Sequence, residues 1–209
     1  MTVKEEDVDV NRGSEEQEDF VNAVREYFKT VFGTDADIEF ENAKKYYIKQ
    51  ASRNQRVIGL TTSEMVKLSR YAPYSAMYHE AFHKLLELVL PDDVRQSFYS
   101  IYRSKNGENL TERQVAEGLA DLFVDYMSNK ILPKNAKWYH KIFRWFRSAG
   151  YALWMCWNYG ISNTRKMYTV YQNANAGEYA HLKKSDKAAK RFKEMFNDEL
   201  YYKVNGVEF

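Results

Sequence analysis

Apolar positions in residues 15–32 (EEQEDFVNAVREYFKTVF) fall at Phe20, Val24, Phe28 and Val31, with Gly33 directly after. That spacing of three and four lines one face of a helix, and a glycine past the last turn is a common stop, so a helix over 15–32 is predicted. From Asp37 to Thr62 the period changes. DIEFE, KKYYIKQ and RVIGLTT are short β-rich runs separated by polar, Asn-containing turns, and they predict a small sheet of about three strands. Helical periods then return near 74–90, 111–130, 135–159, 162–176 and 185–201, with no internal repeat. Pro91 and the turn Asn106-Gly107-Glu108-Asn109 separate the second helix from the third, and Pro133 separates the third from the fourth. The expected class is α+β: an N-terminal helix, a small roughly three-stranded sheet, a further helix carrying the chemistry below, then a helical bundle.

Composition narrows this picture. The 209 residues are 44% hydrophobic and 16% aromatic, with nine glycines and three prolines, which suits one globular domain and excludes wholesale disorder. The longest run free of Asp, Glu, Lys and Arg, Ser148–Thr164, has 17 residues and contains Ser, Asn, Tyr and Gly, so no transmembrane segment is expected. The start MTVKEEDVDV has neither a basic nor an apolar run, and a single Cys156 cannot pair within the chain; both favour a protein that is not secreted and is cytoplasmic.

The net charge of +2 conceals an asymmetry. Residues 1–19 carry eight acids and two bases, and 1–14 read as an acidic flexible tail. Residues 130–193 carry fourteen Lys and Arg against Glu178 and Asp186. Within them KWYHKIFRWFR (137–147) interleaves bases with aromatics, a composition used to bind single-stranded nucleic acid, so nucleic acid enters as a possible partner. A solvated helix face over core aromatics competes with that reading. The aromatic helix around 138–157 could also contact a membrane, but aromatics at this density are expected to form bundle core.

The chemistry is concentrated in YHEAFHKLLELVL, residues 78–90, which holds His-Glu-x-x-His. Histidines four apart on a helix project from one face one turn apart, so His79 and His83 can reach one metal ion, Zn²⁺ by preference. Glu80 lies close enough to the open side of the metal to take a proton from water without being a ligand. Met77, Ala81, Phe82, Leu85, Leu86, Val89 and Leu90 surround the motif without Gly or Pro, so the required helix is expected independently. Ionisable groups packed into such a setting are costly unless something pairs them. A catalytic zinc site needs a third protein ligand. Leu86 and Val89 stand where the metzincin pattern has Gly and His, which excludes that class. The next predicted helix, TERQVAEGLADLFVDYMSNK (111–130), again spaces two carboxylates, Glu117 and Asp121, by four.

Here the sequence resembles the gluzincin type of zincin metallopeptidase, whose third ligand is a Glu on the following helix, with an Asp four residues later orienting the first histidine. The resemblance makes Glu117 the third ligand and Asp121 the partner of His79, a carboxylate on the imidazole nitrogen opposite the metal. Glu112, Asp125 and Glu87 are the competing choices, with Glu87 expected to face solvent. Zincins also place an edge strand just upstream of the active-site helix, and Ile58, Gly59, Leu60 and Thr61 stand there, able to hold an extended peptide by main-chain hydrogen bonds.

The resemblance covers about residues 15–130 and implies a zincin-like metallopeptidase core, with 131–209 a basic, aromatic-rich helical part packed on it. Lys84, where the family usually has an uncharged residue, and the absence of the Asn that commonly precedes the Glu ligand are departures. The element order, with VYQNANAGEYA (170–180), looks like the zincin domains in large polyvalent proteins of phages and mobile elements, which would make the chain virion-associated. The implied activity is zinc-dependent hydrolysis of a protein or peptide substrate with Glu80 as general base. His140 and Tyr126, then Tyr151 and His181, are the candidates for stabilising the transition state. A nucleic-acid-binding or virion protein with a structural or inactive zinc site is the alternative.

Overall fold

Phe20, Val24, Phe28 and Val31 are buried along one face of α1 (Ser14–Phe32), and Gly33 ends the helix in a left-handed conformation, φ 72°, its N–H donating to Lys29 O. The computed structural model describes residues 3–4, 13–35, 37–42, 46–50, 53–130 and 137–205. The tail expected over 1–14 lies mostly outside them.

The strands are β1 (Val3–Lys4), β2 (Ile38–Glu41), β3 (Tyr46–Gln50), β4 (Arg53–Thr61), β5 (Val66–Ser69) and β6 (Leu200–Asn205), in the order β1-β6-β4-β5-β2, with β3 also paired to β4. β4 runs antiparallel to β3, β5 and β6, whereas β2 lies parallel to β5 and β1 parallel to β6. This corrects the expected edge strand. Gly59, Leu60 and Thr61 pair with Leu68, Lys67 and Val66 on one side and with Tyr202, Tyr201 and Leu200 on the other, so the main chain of β4 is already used. The flanking strands were the ones the pattern did not give: β5 is only four residues long, and β6 falls partly within the expected helix 185–201.

That helix, α7, stops at Phe196. Asn197 and Asp198 both take positive φ, 56° and 60°, and turn the chain into β6, and Asp198 Oδ1 accepts the Ser63 N–H at 2.8 Å.

The chain otherwise follows the expected helices with one addition. α2 (Tyr74–Lys84) continues as a π-helical turn, Leu85–Val89, closed by Leu90 N–H to Leu85 O. Pro91 then opens α3 (Asp92–Asn106), a helix that fills the interval read as a connection. α4 (Glu112–Ser128), α5 (Trp138–Tyr159) and α6 (Ile161–Asn175) complete the order. The class is α+β.

One core joins these elements. Tyr171 of α6 meets Phe82 of α2, Phe98 of α3 and Phe123 and Tyr126 of α4, at ring-centroid distances of 5.1–6.1 Å, and Phe192 and Phe196 of α7 belong to the same cluster. α5 departs from expectation: most of its aromatics lie on the surface rather than in a bundle core. Among the described residues no helix is long and apolar enough to cross a membrane.

Candidate metal centre

α2 lies between β4 and α4, and both of its histidines are buried. Their rings stand one turn apart with centroids 4.6 Å from each other and planes at 85°. On the α4 side, Thr111 and Gln114 form a reciprocal cap, Thr111 N–H donating to Gln114 Oε1 at 2.9 Å and Gln114 N–H to Thr111 Oγ1 at 3.2 Å. The cap fixes where α4 begins. The buried face Val115, Ala116, Leu119 and Ala120 then sets its rotation, and Glu117 and Asp121 come to face α2.

Glu117 Oε2 lies 3.6 Å from His79 Nε2 and 3.8 Å from His83 Nε2. These separations are too long for hydrogen bonds. They are close to the roughly 3.4 Å between neighbouring donors around a tetrahedral ion with ligand distances near 2.1 Å. The three ligand atoms all lie within 4.8 Å of one another, and His79, His83 and Glu117 are the group among the described residues that can hold a metal ion. Both ring nitrogens of His83, and Glu117 Oε1, are buried without a hydrogen bond. Buried polar atoms are normally satisfied, so an orphaned imidazole beside an unsatisfied carboxylate fits a cation.

The sequence placed Asp121 on the far nitrogen of His79, and the structure corrects this. Asp121 Oδ1 is 3.5 Å from Nε2, the same nitrogen that faces Glu117. The far nitrogen, Nδ1, faces Glu80 Oε1 at 3.7 Å. Burial disfavours the charged imidazole, but Asp121, Glu80 and Glu117 outweigh it and raise His79 to about 9. Burial likewise pushes the Glu117 and Asp121 carboxyls up, yet His83 and His79 beside Glu117, and His79 beside Asp121, hold both below their ordinary values.

Glu80 is fully buried, and β4 explains how. Thr61 Oγ1 donates to Glu80 Oε2 at 2.6 Å, leaving Oε1 without a hydrogen bond. At Gly59 a Cβ would stand 2.6 Å from that Oε1 and 2.8 Å from Glu80 Cγ, so a residue with no side chain is what lets helix and strand close around the carboxylate. The substrate-strand residues thus have other places: Gly59 and Thr61 seat Glu80, Ile58 is core, and Leu60 is half-buried in the middle of the sheet. A glycine inside an apolar strand was the legible signal for such a close approach.

The competing ligands are otherwise engaged. Glu87 is buried, correcting the solvent-facing expectation: it sits one turn beyond His83, and α3 supplies Tyr99, whose OH donates to Glu87 Oε1 at 2.7 Å, and Arg95 at 3.6 Å. Burial raises the Glu87 pKa, opposed by Tyr99 and Arg95. Glu112 accepts from Arg103 at 2.8 Å. Asp125 falls outside the ligand group. Lys84 places Nζ 2.7 Å from Asp37 Oδ2 and 5.2 Å from the Phe32 ring centre, tying α2 to the chain before β2 and to α1.

The transition-state candidates have structural places. Tyr126 is buried, with its ring against Phe123, Tyr168 and Tyr171. Tyr151 OH donates to Leu122 O at 2.8 Å. His140 Nδ1 accepts the Lys137 N–H at the start of α5, and His181 is exposed beyond α6. A residue the pattern did not single out packs on α4: the Tyr102 hydroxyl of α3 rests on Gly118, next to Glu117 in sequence, where any Cβ would collide with it. Burial, then Tyr159 and Asp121, raise its pKa. No protein-family model, curated protein or solved structure matches the chain.

Proposed function

We propose that this protein is a zinc-dependent metallopeptidase in which His79, His83 and Glu117 hold the ion. The observation that carries this reading is the His83 imidazole, buried with neither nitrogen hydrogen-bonded and 3.8 Å from Glu117 Oε2. When bound, the ion supplies Lewis acidity to water and to a substrate carbonyl. Two neutral imidazoles and one carboxylate leave a divalent ion a net positive charge to do so. The Thr61 hydroxyl holds Glu80 Oε2, and the Glu80 carboxylate is the group that would take the proton from the attacking water and return it to the leaving amine. That the substrate is a peptide rests on the resemblance of His-Glu-x-x-His with Glu117 and Asp121 to the gluzincin pattern.

The 3.7 Å approach of Glu80 Oε1 to His79 Nδ1, the nitrogen opposite Glu117, supports a second role for the carboxylate, orienting the imidazole. Glu80→Gln separates the two. As the general base, Glu80 is dispensable for metal affinity, and the variant loses about 10²–10⁴-fold or more in peptide cleavage while keeping its zinc. As an orienting group its loss weakens zinc binding about 10–100-fold. Cleavage of a peptide library by zinc-loaded Glu80→Gln at the wild-type rate would rule out a peptidase mechanism with Glu80 as its base.

A further inference from the structure

The outward face of α5 is apolar. Phe143, Phe146, Leu153 and Trp157 follow the three-and-four spacing with Gly150 between them, and they are 71%, 62%, 72% and 88% exposed. Trp145 of α5 and Ile161 at the start of α6 are also exposed, 65% and 77%. From Phe143 to Trp157 the line extends about 21 Å.

The polar groups of the helix point the other way. Arg144 Nη1 donates to Lys130 O at 3.1 Å, Arg147 Nε to Asn129 Oδ1 at 2.7 Å with Nη2 on Ser128 O, and Ser148 Oγ to Asn129 O at 3.0 Å. Tyr151, Met155 and Tyr159 continue that inner face into the core. A surface helix of a soluble protein has the reverse arrangement. Between Asp125 and Glu178 the chain has eight Lys and Arg and no acid, and Lys137, Lys141, Arg165 and Lys166 among them are exposed.

We infer that α5 docks on an anionic lipid surface, lying in its plane with Phe143, Phe146, Leu153 and Trp157 in the headgroup–acyl boundary and the exposed bases of the acid-free segment drawn towards the headgroups. An exposed line of Trp, Phe and Leu suits the headgroup–acyl boundary, and the acid-free, basic segment that carries it complements anionic lipid. A second copy of the chain would bring two acid-free basic helices together. Single-stranded nucleic acid needs charges interleaved with the stacking rings. In α5 two of the guanidiniums are turned onto protein oxygens, and the line from Phe143 to Trp157 carries no charge of its own.

The test is flotation of the intact protein with vesicles of phosphatidylcholine plus phosphatidylserine, against phosphatidylcholine alone. Binding is expected to the first and to be weaker to the second, with a blue shift of tryptophan emission. Phe146→Ser with Trp157→Ser removes two exposed rings, and affinity is expected to fall about tenfold or more while the thermal transition stays in place. Lys141→Glu, at an exposed position of the acid-free segment, is expected to reduce binding to the anionic vesicles alone. Three results would overturn the proposal: no flotation, with a dimer in sedimentation that the double substitution dissociates; no flotation, with salt-sensitive oligonucleotide binding that it abolishes; or flotation that neither set of substitutions changes.

Discussion

At His79 burial favours the neutral ring and the surrounding carboxylates favour the cation, and the carboxylates prevail. In the metal-free protein a proton then stands where an ion would otherwise neutralise Glu117 and Asp121. Because the folded value, about 9, exceeds the ordinary 6.5, this group adds stability that is fully present below about pH 6.5 and is lost as pH rises through 9. Glu117 and Asp121 are shifted down, so their contribution is present above their ordinary values of 4.5 and 3.8 and is lost as the pH falls below them. Thermal unfolding of metal-free protein should therefore show a falling transition temperature from pH 6.5 to 9, with a shallower fall in Asp121→Asn. A slope unchanged by that substitution would mean that Asp121 does not hold the His79 proton. Metal binding requires the neutral ring, so near neutral pH it should release a proton.

Between elements, the decisive contact is α2 against β4. Gly59→Ala forces a methyl group against the Glu80 carboxylate, and a loss of about 1–3 kcal/mol in unfolding free energy is expected, together with reduced cleavage as Glu80 is displaced. Chemical denaturation checks the first effect and zinc-loaded turnover the second; an unperturbed variant would show that helix and strand leave room for a methyl group. The sequence made α1, β2 to β4 and the motif helix legible because their apolar periods are regular. α3 was missed although Val94, Phe98 and Ile101 repeat at helical spacing between Pro91 and Gly107, because its many polar residues made the interval resemble a connection. With α3 absent from the picture, Glu87 had nothing to cover it and was assigned to solvent. β6 was hidden because only the left-handed pair Asn197 and Asp198 marks the end of α7, and the pairing that makes LYYKVN a strand is with residues about 140 positions earlier.

Across the whole molecule, the segment after residue 136 is part of the same core and sheet as the residues that carry the gluzincin resemblance, through Tyr171, Phe192, Phe196 and β6. The trio His79, His83 and Glu117, a group that could hold an ion, was readable as residue types at the right spacing. Their meeting at one point, and which nitrogen each carboxylate faces, depended on how α4 rotates against α2, which no local pattern encodes. Aromatic density on α5 suggested a core because composition cannot tell an inner face from an outer one, whereas the inward hydrogen bonds of Arg144 and Arg147 do. The measurement that bears most directly on the metal centre is calorimetric titration of zinc into metal-free protein, for the wild type, His83→Ala and Glu117→Ala. One zinc per chain is predicted for the wild type, with each substitution weakening binding by more than the roughly 10–100-fold that losing a supporting carboxylate costs. No uptake by the wild type, or equal uptake by all three proteins, would contradict the assignment of this site.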